Sequence, residues 1–400
     1  IVRNSIRKLI ILLLLSAGAA HSAEWKIDPT IRFKAGYNDN IRMNIDDKIS
    51  SAEATLSPSA VFSVETLKSG LSGDLRFDFR RFEEDSNLDD NNIRFNMNSF
   101  RSMERSRVGL NLGLIKDTTL DTQLEETGLV FERLGRYKIS GGPEWIYTLD
   151  NHTRLSSSYN YTDVQYKNAA ESGFVDYSIQ SGQVALNRTL NERTTASITL
   201  SHSRTDNDND VKSNNSNLQG GASYQFSETL SASLFAGVRY TKTDFSQNTL
   251  IPIFSGDLII GFAPLTQDVS NSSSGYTFNG SLSKNFLRGK TDVTASRNIS
   301  NSTNGVPIEV TRLAWNNLYR LTKTLSVNLK LDLYQSKSEN AASSRLNRDY
   351  YRISPGINWN FKKFWRISGT YRYRKQTFNN TNDDATQNAA YLTLTYRWPR

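Results

Sequence analysis

The sequence predicts an all-β chain that forms a transmembrane antiparallel up-and-down β-barrel of about 18 strands, with about 16 to 20 compatible with the pattern. Three observations predict it. Apolar and polar residues alternate along nearly the whole chain after Trp25, connectors alternate between short and long, and most alternating runs reach about ten residues or more. Strands of soluble proteins usually run about 5–6 residues, whereas about ten at a tilt cross the apolar layer of a membrane. Lipid leaves no backbone group unpaired, and only a closed sheet satisfies that demand with strands.

The first element is a leader. Arg3, Arg7 and Lys8 precede the apolar run Leu9–Leu15, followed by Ser16, Ala17, Gly18, Ala19 and Ala20. A basic start, a short apolar core and small residues describe a secretory signal peptide over 1–22, cleaved after residue 22 or 23. The apolar run is too short to span a membrane as a helix. A single domain, 23–400, follows. The net charge of +8 falls to +5 once the three leader cations are removed (8 − 3), a mild excess that does not point to nucleic acid. Charged residues make up 22% and mean hydropathy is −0.54, which excludes a bundle of membrane helices. Cysteine is absent, so disulfides, thiolate metal sites and Cys nucleophiles are excluded.

The strands follow in order. Ile31, Phe33, Ala35 and Tyr37 alternate with Arg32 and Lys34; Leu71, Leu75, Phe77 and Phe79 alternate with Ser72, Asp74, Arg76, Asp78 and Arg80. The same holds for Ala196–Leu200, Leu230–Tyr240 and Leu325–Leu333. Strand side chains change face at every residue, so each run has one apolar and one wet side. Short connectors are read near 67–69, 103–106, 150–152, 191–193, 227–229, 286–290, 322–324 and 362–363. Longer polar ones are read at 38–50, 82–91, 117–127, 167–173, 205–214, 244–271, 301–308, 338–346 and 378–387. Both chain ends then fall on the short-turn side, the periplasmic side of an outer-membrane barrel. Aromatics gather toward both strand ends: Tyr147, Tyr224, Phe226, Trp359, Trp365, Tyr396 and Trp398 near short turns, and Tyr37, Phe79, Tyr161, Tyr240, Tyr351 and Tyr373 near long loops. Two interfacial girdles account for that placement. Alternation slips around Tyr177–Thr189 and Val310–Leu321, which predicts bulges or shifted boundaries. The apolar runs Leu250–Phe254 and Leu258–Phe262 predict a hairpin standing on the barrel or a loop folded into the pore, ahead of two further wall strands.

With the apolar faces outward, the lumen is lined mostly by Ser, Thr, Asn, Gln and Gly. Charge is concentrated: Arg32, Lys34, Arg76, Arg80, Arg352, Arg366, Arg372, Arg374 and Arg397 share the inner parity of the first and last strands, which closure makes neighbours. Asp74 and Asp78 interrupt this basic arc. Arcs of fixed cations favour anions in confined pores, so a porin-like passage for an exopolysaccharide or another polar, anionic solute is expected. The competing expectation is an ion-pair network that stiffens a closed lumen, in a protein that tethers surface polymer or partners. Lipid, lipopolysaccharide and the barrel-assembly machinery are the partners such a barrel implies.

Two further clusters carry weaker chemistry. Asp206, Asp208 and Asp210 alternate with Asn207 and Asn209, an oxygen-rich run that lacks the Gly and distal Glu of a calcium loop and reads first as a solvated loop. His202, with Ser201 and Asp206 nearby in sequence, is the one opening toward an outer-membrane hydrolase, and sequence proximity is not triad geometry. No enzyme activity and no cofactor are expected.

The segment Lys116–Gly128, reading Lys-Asp-Thr-Thr-Leu-Asp-Thr-Gln-Leu-Glu-Glu-Thr-Gly, together with Gly36-Tyr37-Asn38-Asp39-Asn40, resembles the PEP-CTERM/exosortase-associated outer-membrane β-barrel family, similar to the β-barrel porin 2 group. The resemblance implies a barrel linked to exopolysaccharide and protein-sorting loci, with no catalytic residue to carry over. In the barrel reading, Lys116–Gly128 is an outer loop that packs Leu120 and Leu124 and presents Asp121 and Glu125.

Overall fold

The computed structural model describes residues 24–120, 133–169, 174–255, 258–302, 305–338 and 347–399. The leader and the far part of the Lys116–Gly128 loop, including Asp121, Leu124 and Glu125, lie outside them.

The strands in chain order are β1 (Trp25–Asn38), β2 (Ser51–Glu65), β3 (Ser69–Phe82), β4 (Asp90–Ser102), β5 (Ser106–Thr118), β6 (Gly135–Thr148), β7 (Thr153–Tyr166), β8 (Tyr177–Asn191) and β9 (Thr194–Asn207). They continue as β10 (Lys212–Ser227), β11 (Leu230–Ser255), β12 (Leu258–Phe286), β13 (Gly289–Asn301), β14 (Pro307–Arg320), β15 (Leu325–Ser338), β16 (Arg348–Lys362), β17 (Trp365–Phe378) and β18 (Asp383–Arg397). Each pairs antiparallel with its chain neighbour, and β1 pairs with β18 from Thr30↔Arg397 to Asn38↔Ala389, closing an 18-stranded sheet into a barrel. Closure removes the sheet edges that lipid would not tolerate.

The apolar stripe faces outward. Leu234 (63%), Val238 (64%) and Leu392 (62%) stand open on the outer surface, where only hydrocarbon makes such exposure favourable. Aromatics form a belt at the short-turn end: Trp365 lies 6.3 Å from Phe361 and 4.7 Å from Tyr396, which lies 4.9 Å from Trp398. Tyr224 and Phe226 continue it on β10, 4.7 Å apart.

The structure revises several boundaries. The connectors expected at 205–214 and 378–387 shrink to 208–211 and 379–382, because their polar residues continue the ladder as Lys212↔Asp206 and Lys375↔Thr386. A neighbouring edge recruits Asn, Asp and Ser into strand where composition alone suggests loop. Between 244 and 271 the chain is a hairpin standing beyond the rim: β11 leaves β10 after Lys212↔Asp244 and stays paired with β12 as far as Ser255↔Leu258. The slip expected in β8 is a register shift between Thr189 and Asn191. None occurs in β14, whose pairing with β13 and β15 is continuous. Its mixed polarity arises instead because its outer end, with buried Ile308 and Glu309, is covered on both faces.

Loops fill the long-loop end from inside. Ile41, Met43, Phe82, Leu88, Leu120 and Ala385 form one apolar cluster, and Val164, Tyr166 and Phe174 another. Leu120 thus packs as its loop sequence predicts. The Gly36–Asn40 segment clasps the β1–β18 seam beside the first cluster: Asp39 accepts hydrogen bonds from Asn388 N (2.6 Å) and Nδ2 (2.7 Å), and Asn40 Nδ2 donates to the Thr386 carbonyl (2.9 Å).

Candidate functional site: a basic lumen cavity

Beneath the first apolar cluster lies a cavity of about 280 Å³. Its wall is built from inner-parity side chains of β1–β5, β17 and β18, strands that are distant in sequence and adjacent only because the sheet closes. Lys34, Arg76, Arg80, Arg372 and Arg374 of the predicted arc line it, together with Arg94. Against these stand Glu53, Asp78 and Asp117. Asp117 is already held by Arg136 through bonds of 2.9 and 3.1 Å, so the wall carries an excess of positive charge.

The carboxylates order part of the cluster. Lys34 Nζ lies 2.5 Å from Glu53 Oε1, and Arg76 Nη2 lies 2.8 Å from Asp78, which also accepts from Ser57 Oγ. Tyr391 forms a shared aromatic backing, with Lys34 at 4.4 Å and Arg372 at 5.1 Å from its ring centroid. Asn38, Asn92 and Gln387 add amide groups, while Ile41, Phe82 and Leu120 give one apolar side. Such a lining offers charge-assisted hydrogen bonds to an oxyanion and contact area to an attached apolar or sugar-like body.

The other predicted arc residues are distributed unevenly. Arg32 and Arg366 both flank Thr395, and Arg397 follows two residues on, so these three extend the arc toward the short-turn end. Arg352 is opposite Arg374 in register, but its guanidinium turns away to Asp332 at 2.8 Å. Asp332 also accepts from Arg312 Nε at 2.7 Å, so the arc is locally countered there. Sequence reasoning missed Arg94, which sits directly opposite Arg76. The alternation of Asn92, Arg94 and Asn96 with Ile93, Phe95 and Met97 was the available signal.

The remaining candidates do not assemble. Asp206 is bound by Arg204 Nε at 2.9 Å, Asp208 donates its backbone N–H to the Asp176 carbonyl, and Asp210 occupies a left-handed turn position at φ 57°. Among the described residues no group of three or more His, Asp or Glu side chains is placed to hold a metal ion. His202 Nδ1 lies 2.9 Å from Ser216 Oγ, while Ser201, one residue earlier in the strand, faces the opposite side.

No family model matches the chain, and no curated protein matches its sequence. Its fold is similar to several solved structures at low identity. The channel DcaP of Acinetobacter baumannii is 13% identical over 94% of this chain and 97% of that one, with a TM-score of 0.46. OccK2 (OpdF) of Pseudomonas aeruginosa is 8% identical over 94% and 98%, with a TM-score of 0.47. The ferric-catecholate import receptor Fiu of E. coli K12 is 7% identical over 93% and 82%, with a TM-score of 0.48.

Proposed function

We propose that this barrel sits in a bacterial outer membrane, both termini in the periplasm, as a porin-like conduit for export or passage of an exopolysaccharide or another polar, anionic solute. The supporting observation is the convergence of Lys34, Arg76, Arg80, Arg372 and Arg374 on one cavity inside a closed sheet. Fixed cations in a confined, low-dielectric channel raise the local concentration of anions, and planar guanidinium groups engage carboxylate or phosphate two bonds at a time. Residues 1–22 would serve as the cleaved leader. Lipid, lipopolysaccharide and the assembly machinery would be the barrel's partners, and the resemblance to the exosortase-associated family favours a polysaccharide as cargo. No cofactor belongs to this reading.

The test is a planar bilayer under a salt gradient, using protein first shown to be folded in detergent. Steady conductance with an anion-selective reversal potential is expected, weakened when Arg372→Ser and Arg374→Ser are combined. A second reading, a tethering protein with a closed lumen, is favoured by the apolar clusters inside the mouth. Silent insertion of folded protein would support it.

A further inference from the structure

The wall of the basic cavity mixes donors with acceptors. Its cations present N–H groups alone, and Arg372 and Arg374 stand two residues apart on one face of β17. Glu53 and Asp78 remain in the same lining as oxygen acceptors, held by Lys34 at 2.5 Å and by Arg76 at 2.8 Å.

Gln387 adds a third acceptor. It is 1% exposed, lies opposite Arg374 in the β17–β18 ladder, and donates from Nε2 to the Asn40 carbonyl at 2.6 Å. That bond sets which way round the amide sits. Its Oε1 is buried in the cavity wall and accepts no hydrogen bond from the described residues. A buried acceptor of this kind is costly until a donor reaches it.

These groups discriminate among anions. Phosphate or sulfate offers mainly acceptor oxygens, which suit the guanidinium groups and oppose Glu53, Asp78 and Gln387 Oε1. A carboxylate carried on a hydroxylated ring satisfies both sets: its oxygens accept from the cations, and its hydroxyls donate to the acceptors. The C–H face of such a ring suits the side formed by Ile41, Phe82 and Leu120. A volume of about 280 Å³ is at the small end of ligand sites, which run to roughly 300–1,000 Å³, and it fits one ring better than a chain.

We propose that the cavity binds a single sugar acid, a hexuronate, with its carboxylate among the guanidinium groups of Arg80, Arg372 and Arg374 and a ring hydroxyl donating to Gln387 Oε1. Its role as cargo rests on the conduit reading; its occupancy of the cavity does not.

Calorimetric titration of the folded protein in detergent tests the site without conduction. Galacturonate should bind at least about tenfold more tightly than galactose, which lacks the carboxylate, and than cyclohexanecarboxylate, which lacks the hydroxyls. Inorganic phosphate should also bind more weakly, and trigalacturonate no more tightly than the monomer. Gln387→Met, close in shape, should weaken galacturonate about tenfold and erase most of its preference over cyclohexanecarboxylate. Cyclohexanecarboxylate or phosphate matching galacturonate overturns the proposal, as does affinity that grows with chain length or a preference unchanged in Gln387→Met. Should that variant not fold, the ligand series on the wild type decides alone. A wild type that binds galacturonate but is silent in bilayers upholds the site and refutes the conduit. One that conducts but binds no galacturonate refutes the site and leaves the conduit standing.

Discussion

Tyr391 lies directly across from Gly36 on the seam that closes the barrel, and it occupies the space a side chain at 36 would need. A Cβ there would stand 2.3 Å from Tyr391 Cδ1 and 2.3 Å from the Ala390 carbonyl oxygen. The glycine thus lets the ring settle on β1, where it backs Lys34 and Arg372 and fixes one wall of the basic cavity.

Gly36→Ala should therefore displace Tyr391 and lower stability by about 1–3 kcal/mol, the usual range for an overpacked site. Gly220→Ala, with nothing within 4 Å of its Cβ position, should stay near wild type. Urea unfolding of the two variants side by side checks the difference.

Asp332 is shared by Arg312 and Arg352 and is almost fully buried. Asp332→Asn leaves two guanidinium groups without their common carboxylate and should destabilise the barrel by about 1–3 kcal/mol, as for unsatisfied buried partners. The same unfolding assay reads it, and an unchanged midpoint would show that water replaces the carboxylate.

The arc should not act uniformly on ions. Arg352 is countered at 2.8 Å by Asp332, whereas Arg374 lines the cavity where cations outnumber carboxylates. Arg374→Ser should shift the reversal potential more than Arg352→Ser in the same salt gradient; the reverse order would place the selective region elsewhere in the lumen.

One titration lies outside the membrane-spanning wall. In the β6–β7 turn, the His152 N–H donates to the Asp150 carboxyl at 2.7 Å, and this bond, with one from the Thr153 side chain, holds Asp150 below the usual 3.8. A lowered acid contributes to the turn above its unfolded value, and that contribution is lost as pH falls through the lowered one. Magnetic-resonance titration of Asp150 should show protonation below 3.8; a value at or above it contradicts the hydrogen-bonded turn.

The barrel was legible because its cause is local: a period of two is written into every strand, as in Leu325–Leu333. The arc was legible because closure alone decides that β1 and β18 touch. What escaped depends on where loops go after the wall forms. Glu309 reads as an outward residue by parity, and it meets the inner-parity Arg239 at 2.8 Å where β12 and β13 part beyond Phe278↔Arg297. Likewise, polar Asn207 and Asp206 read as loop until the edges of β8 and β10 recruit them. The clasp made by Asp39 and Asn40 rests on contacts with Thr386 and Asn388, far along the chain and invisible to any short window.

The orientation of the wall is tested most directly by placing a single fluorophore on each face. Because the chain lacks cysteine, Leu234→Cys on the outer stripe and Ser368→Cys, which shares the inner face of β17 with Arg366, can be labelled one at a time in reconstituted vesicles. Brominated lipid should quench the probe at 234, and a water-soluble quencher should reach the probe at 368. Quenching by lipid at 368 with protection at 234 would contradict the account.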